Sequence, residues 1–356
     1  MSSQIGGNLM KINIVIPSTV LGGGVRQIFS YANALVERGW DVVIYVPGIY
    51  WPNREGFPNI KTSIANTFKR GTKVDWFDCK FPIKIATIVN NRFIRDADFT
   101  IATAWSTAKE VSMLNQKKGK KIYFIQDYEI NKTGSDKDKV EATYKFGMNN
   151  VVIANWLKDI VHQVSGVTPF VLYNGIKDNE FIKSEKKINK YRKIIMIGNM
   201  AWYKGGKQGL QILEELKVEY NIVPILYGAV PIKNLPSDIE FYLRPDRKKL
   251  MQLYEEADIC LSPSVREGWG LTVTEAMAHK CAIVGTNTGA IKELCVNNEN
   301  ALISKPEDYV DLKKNLIKLI KSDEKLLELQ ETAYKTALTL KESKQIDKLE
   351  EFLNKI

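Results

Sequence analysis

Short apolar runs alternating with amphipathic helical stretches constrain the fold of this chain more than any other feature. In the first half the runs are INIVIP (12–17), DVVIYVP (41–47), DFTIAT (98–103), KIYFIQ (121–126), NVVIAN (150–155) and PFVLYN (169–174). The second half continues with KIIMIG (193–198), VPILYG (223–228), IEFYL (239–243), ADICLSP (257–263), CAIVGT (281–286) and ALISK (301–305). Continuous apolar strands suit a parallel sheet buried on both faces. Between the first two runs, Val25, Ile28, Phe29, Ala32 and Leu35 recur at helical spacing until Gly39 ends the pattern. This is a βαβ unit. Its repetition, with helices expected at 206–217, 246–256, 271–279 and 289–295, predicts an α/β protein with helices on both faces of parallel sheets.

The alternation breaks over 177–193, where KDNEFIKSEKKINKYRK is charged and lacks an apolar period. A length of 356 residues, against about 150 per domain, fits two domains. The expected organisation is a disordered extension at 1–9, a first doubly wound domain at 10–180, a linker at 181–193 and a second doubly wound domain at 194–335. A helix at 336–356 is expected to return to the first domain. Two such domains predict a cleft between facing carboxyl ends of strands, where ligands of this architecture sit.

Composition narrows the chemistry. Hydrophobic residues at 44% and charged residues at 26% suit a globular enzyme. Cys79, Cys260, Cys281 and Cys295 show no zinc spacing, and Cys260 and Cys281 read as buried thiols. The two histidines, His162 and His279, rule out a His-rich metal centre and read as surface or boundary residues of helices. No apolar run reaches the ~20 residues of a membrane span, and MSSQIGGNLMK lacks the order of a signal peptide, so a cytoplasmic location is expected. A net charge of +10 fits an anionic partner, whether nucleic acid, acidic lipid or a phosphorylated small molecule. The lysines are dispersed and no nucleic-acid reading module is present, so nucleic acid is not expected.

The stretch REGWGLTVTEAMAHK (266–280) holds two glutamates, Glu267 and Glu275, with seven residues between them. Gly268 and Gly270 let the backbone approach a ligand, and a helix starting near Leu271 offers first-turn amides, including that of Thr272, to a phosphate. Glu267 then lies at the mouth of the site and Glu275 one turn inside the helix. Each carboxylate can accept hydroxyl hydrogen bonds, Glu267 from a sugar and Glu275 from a ribose.

The wider pattern SPSVREGWGLTVTEAMAHKCAIVGTNTGAIKEL resembles the family 4 retaining glycosyltransferases of two-domain, Rossmann-like GT-B fold. Pro-Ser precedes the first glutamate, Gly-x-Gly-Leu lies between the two, Glu-Ala-Met-Ala includes the second, and Gly289 and Glu293 follow. The resemblance implies an acceptor-binding first domain and a nucleotide-sugar-binding second domain. Gly23 and Gly24 look like the family's first glycine loop, bordering sugar and diphosphate. NGIKDNEF (174–181) looks like its interdomain crossing, and IGNMAWYKGG (197–206) like its phosphate-binding element, with Lys204 as the lysine. An ammonium there neutralises a leaving diphosphate without a metal.

Two departures stand out. Asn199 replaces the usual arginine, leaving Arg266 or Arg26 to compensate, and Gln126 with Asp127 stands where many members carry a histidine. Similar Gln-Asp-Tyr-Glu sequences occur among rhamnosyltransferases of the family, which points to a deoxysugar donor. By position, the base lies against Tyr242 or Arg244, and Trp202 and Trp269 flank the phosphate loops as stacking surfaces or as packing.

The catalytic set implied is Glu267 and Lys204, with Asp127 as reserve base. The donor-binding set adds Gly23, Gly24, Asn199, Tyr242, Arg244, Arg266, Gly268, Trp269, Gly270, Leu271, Thr272 and Glu275. The expected reaction is transfer from a nucleotide diphosphate sugar to a glycan or lipid-linked acceptor with retention, with no metal or other cofactor. Peripheral association with an anionic inner membrane face is a further expectation. Two alternatives remain open: a nucleotide-sugar epimerase or hydrolase of the same fold, and a non-catalytic nucleotide-sugar-binding subunit. An NAD-linked oxidoreductase fits less well, because GGGVRQ is not GxGxxG and no acidic residue closes DVVIYVPGIY.

Overall fold

The computed structural model describes residues 4–5, 8–48, 74–130 and 135–356. The chain divides into two compact units, Met1–Asn174 with Gln345–Ile356, and Gly175–Lys344. Of the extension expected to be disordered, residues 1–3 and 6–7 lie outside the described residues. Within it β1 (Gln4–Ile5) and β2 (Asn8–Leu9) pair antiparallel.

In the first unit β3 (Lys11–Val15), β4 (Asp41–Pro47), β5 (Ile83–Ala86), β6 (Phe99–Ala102), β7 (Lys120–Ile125), β8 (Asn149–Val152) and β9 (Phe170–Val171) form one parallel sheet in the order β5-β4-β3-β6-β7-β8-β9. The chain builds outward from β3 to one edge, returns to β6 and builds toward the other. This order reverses between β3 and β6, which pair through Ile12 and Phe99. Helix α1 (Gly23–Glu37) buries Ile28, Phe29, Ala32 and Leu35, and the chain leaves it at Gly39 with φ 86°. Among the described residues, α2 (Trp105–Ser112), α3 (Lys137–Thr143) and α4 (Asn155–Ser165) fill further connections.

The second unit has its own parallel sheet. Strands β10 (Lys193–Ile197), β11 (Val223–Gly228), β12 (Glu240–Leu243), β13 (Ile259–Ser262), β14 (Ala282–Thr286) and β15 (Leu302–Ser304) lie in the order β12-β11-β10-β13-β14-β15. Here the reversal falls between β10 and β13, paired through Ile194 and Ile259. Helices α5 (Gly206–Tyr220), α6 (Arg247–Glu256), α7 (Leu271–Ala278), α8 (Gly289–Leu294), α9 (Tyr309–Lys321) and α10 (Asp323–Ala337) follow. Leu312, Leu316, Leu326 and Leu329 of α9 and α10 join Ile194, Leu226, Leu261 and Val284 of the sheet in one apolar core.

The charged stretch read as a linker at 181–193 lies inside this unit. Buried Asp258 accepts the backbone amide of Lys193 at 2.8 Å, and Lys186 Nζ donates to the carbonyls of Tyr254 and His279 at 3.0 and 2.8 Å. Helix α11 (Glu342–Lys355) spans the boundary, and residues from Gln345 onward belong to the first unit. There Glu350 accepts from Trp40 Nε1 at 2.8 Å and pairs with Arg38, while Phe352 stacks on Phe170 at 4.6 Å.

His279, read as a surface or boundary residue, is 1% exposed and stacked on the Tyr254 ring, because it closes α7 on the side facing α6. Cys260 and Cys281 are buried free thiols. Among the described residues no helix is long and apolar enough to cross a membrane, and no three His, Cys, Asp or Glu side chains gather as a metal site.

Candidate active site

In a doubly wound sheet the loops leaving the two strands at the reversal diverge and open a crevice at the carboxyl end. In the second unit those loops follow β10 and β13, and they carry Lys204 and Glu267. After β10, the Asn199 side chain accepts the Ala201 amide at 3.0 Å, forming an Asx turn. A single 3-10 turn, Trp202–Lys204, then delivers the lysine, and Gly205 with φ 61° opens α5. A Cβ at Gly205 would stand 2.0 Å from the Pro263 carbonyl oxygen, and one at Gly206 2.2 Å from that of Asn199. Tyr203 O accepts the amides of Val265 and Arg266 at 2.9 and 3.1 Å, so the two loops are laced backbone to backbone.

The result is a close ion pair. Lys204 Nζ lies 2.7 Å from each carboxylate oxygen of Glu267, and Ser264 Oγ donates to Oε1 at 2.9 Å. Gly289, with φ 51°, backs this pair: a Cβ there would lie 2.7 Å from Glu267 Cβ and 2.3 Å from the Trp269 carbonyl oxygen. Gly205 and Gly270 lead α5 and α7, and neither helix has a side-chain cap. With the ammonium balanced by Glu267, the lone first-turn amides of the two helices supply the partial positive charge that suits a phosphate or diphosphate.

Glu275 lies one turn inside α7 and is 5% exposed. Expected to meet a ribose, it has partners within the protein. Arg247 Nη1 stands 3.1 Å from Oε1, and the Tyr254 hydroxyl donates to Oε2 at 3.3 Å. With its proton directed at Glu275, that hydroxyl accepts from Tyr227 at 2.7 Å, and the Tyr227 oxygen lies 3.2 Å from Thr272 Oγ1, whose hydroxyl can donate to it. Arg247 also donates Nε to Glu180 Oε1 at 2.8 Å, and its Nη2 pairs with Oε2. Burial works against the Arg247 charge, but Glu275 and Glu180 outweigh it and raise the pKa. Burial likewise raises both tyrosine hydroxyls, which stay protonated donors.

The sequence reading passed over Arg247, Glu180, Tyr254, Tyr227 and Ser264. For Arg247 a signal was present: a cation in the first turn of a helix opposes the helix dipole.

The remaining candidates lie elsewhere. Tyr242 and Arg244 end the edge strand β12, where Lys249 Nζ sits 4.7 Å from the Tyr242 ring centre. Partial burial and then Glu240 push the Tyr242 pKa up to about 12. Arg244, at φ 47°, donates Nε to Ala229 O at 2.9 Å. Trp269 is 4% exposed and packs, whereas Trp202 is 72% exposed and presents a face.

Gly23, Gly24 and Asp127 are in the first unit. Gly23 and Gly24 open α1 beside that sheet's own reversal, and a Cβ at Gly24 would lie 2.8 Å from Gln126 Oε1. That oxygen is buried without a hydrogen-bond partner among the described residues. Asp127 Oδ1 accepts the Tyr128 amide at 2.9 Å. The structure therefore gathers Asn199, Lys204, Arg266, Glu267, Gly268, Trp269, Gly270, Leu271 and Thr272 at the second reversal, with Glu275 in the adjoining network.

The chain also resembles known proteins in sequence and in fold. Residues 177–336 match the family model for glycosyl transferases group 1. The N,N'-diacetylbacillosaminyl-diphospho-undecaprenol alpha-1,3-N-acetylgalactosaminyltransferase of Campylobacter jejuni is 31% identical over 179 residues, covering 46% of each chain. The N-acetyl-alpha-D-glucosaminyl L-malate synthase of Bacillus anthracis is 21% identical over 340 residues, covering 88% of each. Matches to the first curated relatives span about half of those proteins' length. The crystal structure of Anabaena HepE in complex with UDP and glucose superposes with a TM-score of 0.74 at 15% identity, over 98% of this chain and 100% of that one.

Proposed function

We propose, from the premise that the chain has the two-domain GT-B fold and a glycosyl transferases group 1 region at 177–336, that it is a glycosyltransferase acting with retention. It moves a hexosyl or deoxyhexosyl group from a nucleotide diphosphate sugar to an acceptor hydroxyl. The observation that carries this reading is the Lys204 to Glu267 pair, seated where the uncapped helices α5 and α7 begin.

In the reaction the bond from the anomeric carbon to the diphosphate breaks and a bond to the acceptor oxygen forms on the same face. The acceptor proton passes to the departing phosphate oxygen. Negative charge grows on the diphosphate, so Lys204 and the first-turn amides of α7 lower the barrier most and serve in place of a metal. Glu267 accepts the sugar hydroxyls and Glu275 those of the ribose, with Asp127 in reserve as a base. The Gln126-Asp127 pair favours a deoxysugar.

A lipid-linked or surface-glycan acceptor is supported by the Campylobacter relative, whose name specifies a diphospho-undecaprenol substrate. The net charge of +10 supports residence at an anionic inner membrane face. Nucleotide release from UDP-, GDP- and dTDP-sugars, with the wild type and with Lys204→Ala, tests the proposal. One donor should be bound and slowly hydrolysed, EDTA should leave turnover unchanged, and the substitution should abolish it. Binding without any turnover, even with acceptors supplied, would favour a non-catalytic nucleotide-sugar-binding subunit.

A further inference from the structure

Arg247 is the first residue of α6, placed against the helix dipole, and its side chain is largely taken out of water between two carboxylates. A stability role explains this poorly, because a buried ion pair seldom outperforms apolar packing of similar volume. Its geometry is uneven. Toward Glu180 the guanidinium makes a two-pronged contact through Nε and Nη2. Toward Glu275 it offers Nη1 at ion-pair distance, 3.1 Å, without hydrogen-bond alignment. Arg247 is thus anchored on one glutamate and leans on the other.

From this we infer that Arg247, anchored by Glu180, is a positioning residue that holds the Glu275 carboxylate in orientation for a vicinal diol, the ribose of a nucleoside diphosphate. The inference rests on the proposed function and adds two residues to it. Tyr254 fixes the second carboxylate oxygen, and through Tyr227 the same network reaches Thr272 in the first turn of α7. Ribose recognition and phosphate recognition are thereby tied to one helix. Because Glu180 keeps the guanidinium in place, Glu275 can accept hydroxyls without releasing its counterion.

Calorimetry with a matched pair of nucleoside diphosphates, the ribo form and the 2′,3′-dideoxy form of whichever base binds, separates this role from a purely structural one. The wild type should bind the ribo form about tenfold more tightly than the dideoxy form, the size of a charge-assisted hydrogen bond. Arg247→Met and Glu275→Gln should each erase that preference while leaving dideoxy binding unchanged, and the double variant should be no worse than either. Arg247→Lys, which restores charge without the fork, should recover part of the preference. Should Arg247→Met not fold, Arg247→Lys and Glu180→Gln read the same ratio.

Equal losses on both ligands, or an unchanged preference in folded variants, would overturn the inference. A wild type that binds both forms equally would overturn the diol assignment. A wild type that binds no nucleoside diphosphate would overturn the proposed function itself, and the inference with it.

Discussion

The two sheets reverse their strand order in the same way, yet the loops at the two reversals are held by different means. In the second unit, Gly205, Gly206 and Gly289 bring backbone against backbone, with carbonyl oxygens 2.0–2.3 Å from where a Cβ would stand. In the first unit, Gly24 faces only the end of the Gln126 side chain, 2.8 Å from a would-be Cβ. One loop is locked by main chain, the other bounded by a side chain that can turn away. A locked loop suits groups that must meet a fixed charge, and the Lys204 to Glu267 pair sits on that one.

Breaking the charge on the locked side should have the largest effect. Lys204→Ala is expected to lower the donor turnover rate at least about a hundredfold, the usual cost of losing a donor aimed at developing charge, in a steady-state nucleotide-release assay. A loss below threefold would remove the ammonium from the mechanism.

Next comes the lock itself. Gly205→Ala places a Cβ on a residue at φ 61° and against Pro263 O, and should cost at least about 2 kcal/mol in chemical denaturation. Wild-type stability in this variant would mean that the loop yields, and the contrast between the units would be lost.

A smaller effect is expected from pH, at His279 of the second unit. Burial holds the His279 imidazole below its ordinary pKa of 6.5, so the unfolded chain takes up the proton first. The contribution to stability is complete above pH 6.5 and is lost as pH falls through the lowered folded-state value. The melting temperature should therefore fall more steeply from pH 7.5 to 5.5 in the wild type than in His279→Gln. Equal slopes would show that the ring is not held neutral.

The smallest effect should come from the first unit's glycine. Gly24→Ala needs only a rotation of Gln126 and should change stability by under about 1 kcal/mol. Gln126→Ala in the same chain should cancel even that. A large, uncancelled loss would mean that both reversals are locked alike.

The strands were legible because burial on both faces makes them continuous: Asp41–Pro47 and Val223–Gly228 coincide with the apolar runs, and others end within a few residues. Edge strand β5 was not, since IKIA is short and buries only its last residue fully. Helices α2 and α3 are short and polar enough to leave no periodic signal. At the site, spacing and glycines revealed Glu267 and the start of α7, which are local properties of one stretch. The inward turn of Glu275 was hidden because it depends on Arg247, 28 positions earlier, and on Glu180, 95 positions earlier. Charge in 181–193 was misleading for a related reason: Lys186 donates to the carbonyl of His279, which closes α7, and Asn189 to Asp258 just ahead of β13, while Lys183, Lys187 and Lys190 stay exposed.

Because residues 345–356 complete the first unit, that unit is assembled from two ends of a nascent chain, and time enters its folding. The whole of Gly175–Lys344 must leave the ribosome before Glu350 can meet Trp40 or Phe352 can cover Phe170. At roughly 5–20 residues per second this is a wait on the order of ten seconds. Through that interval the first unit waits with an open flank, and a chaperone or a stalled ribosome would find it there.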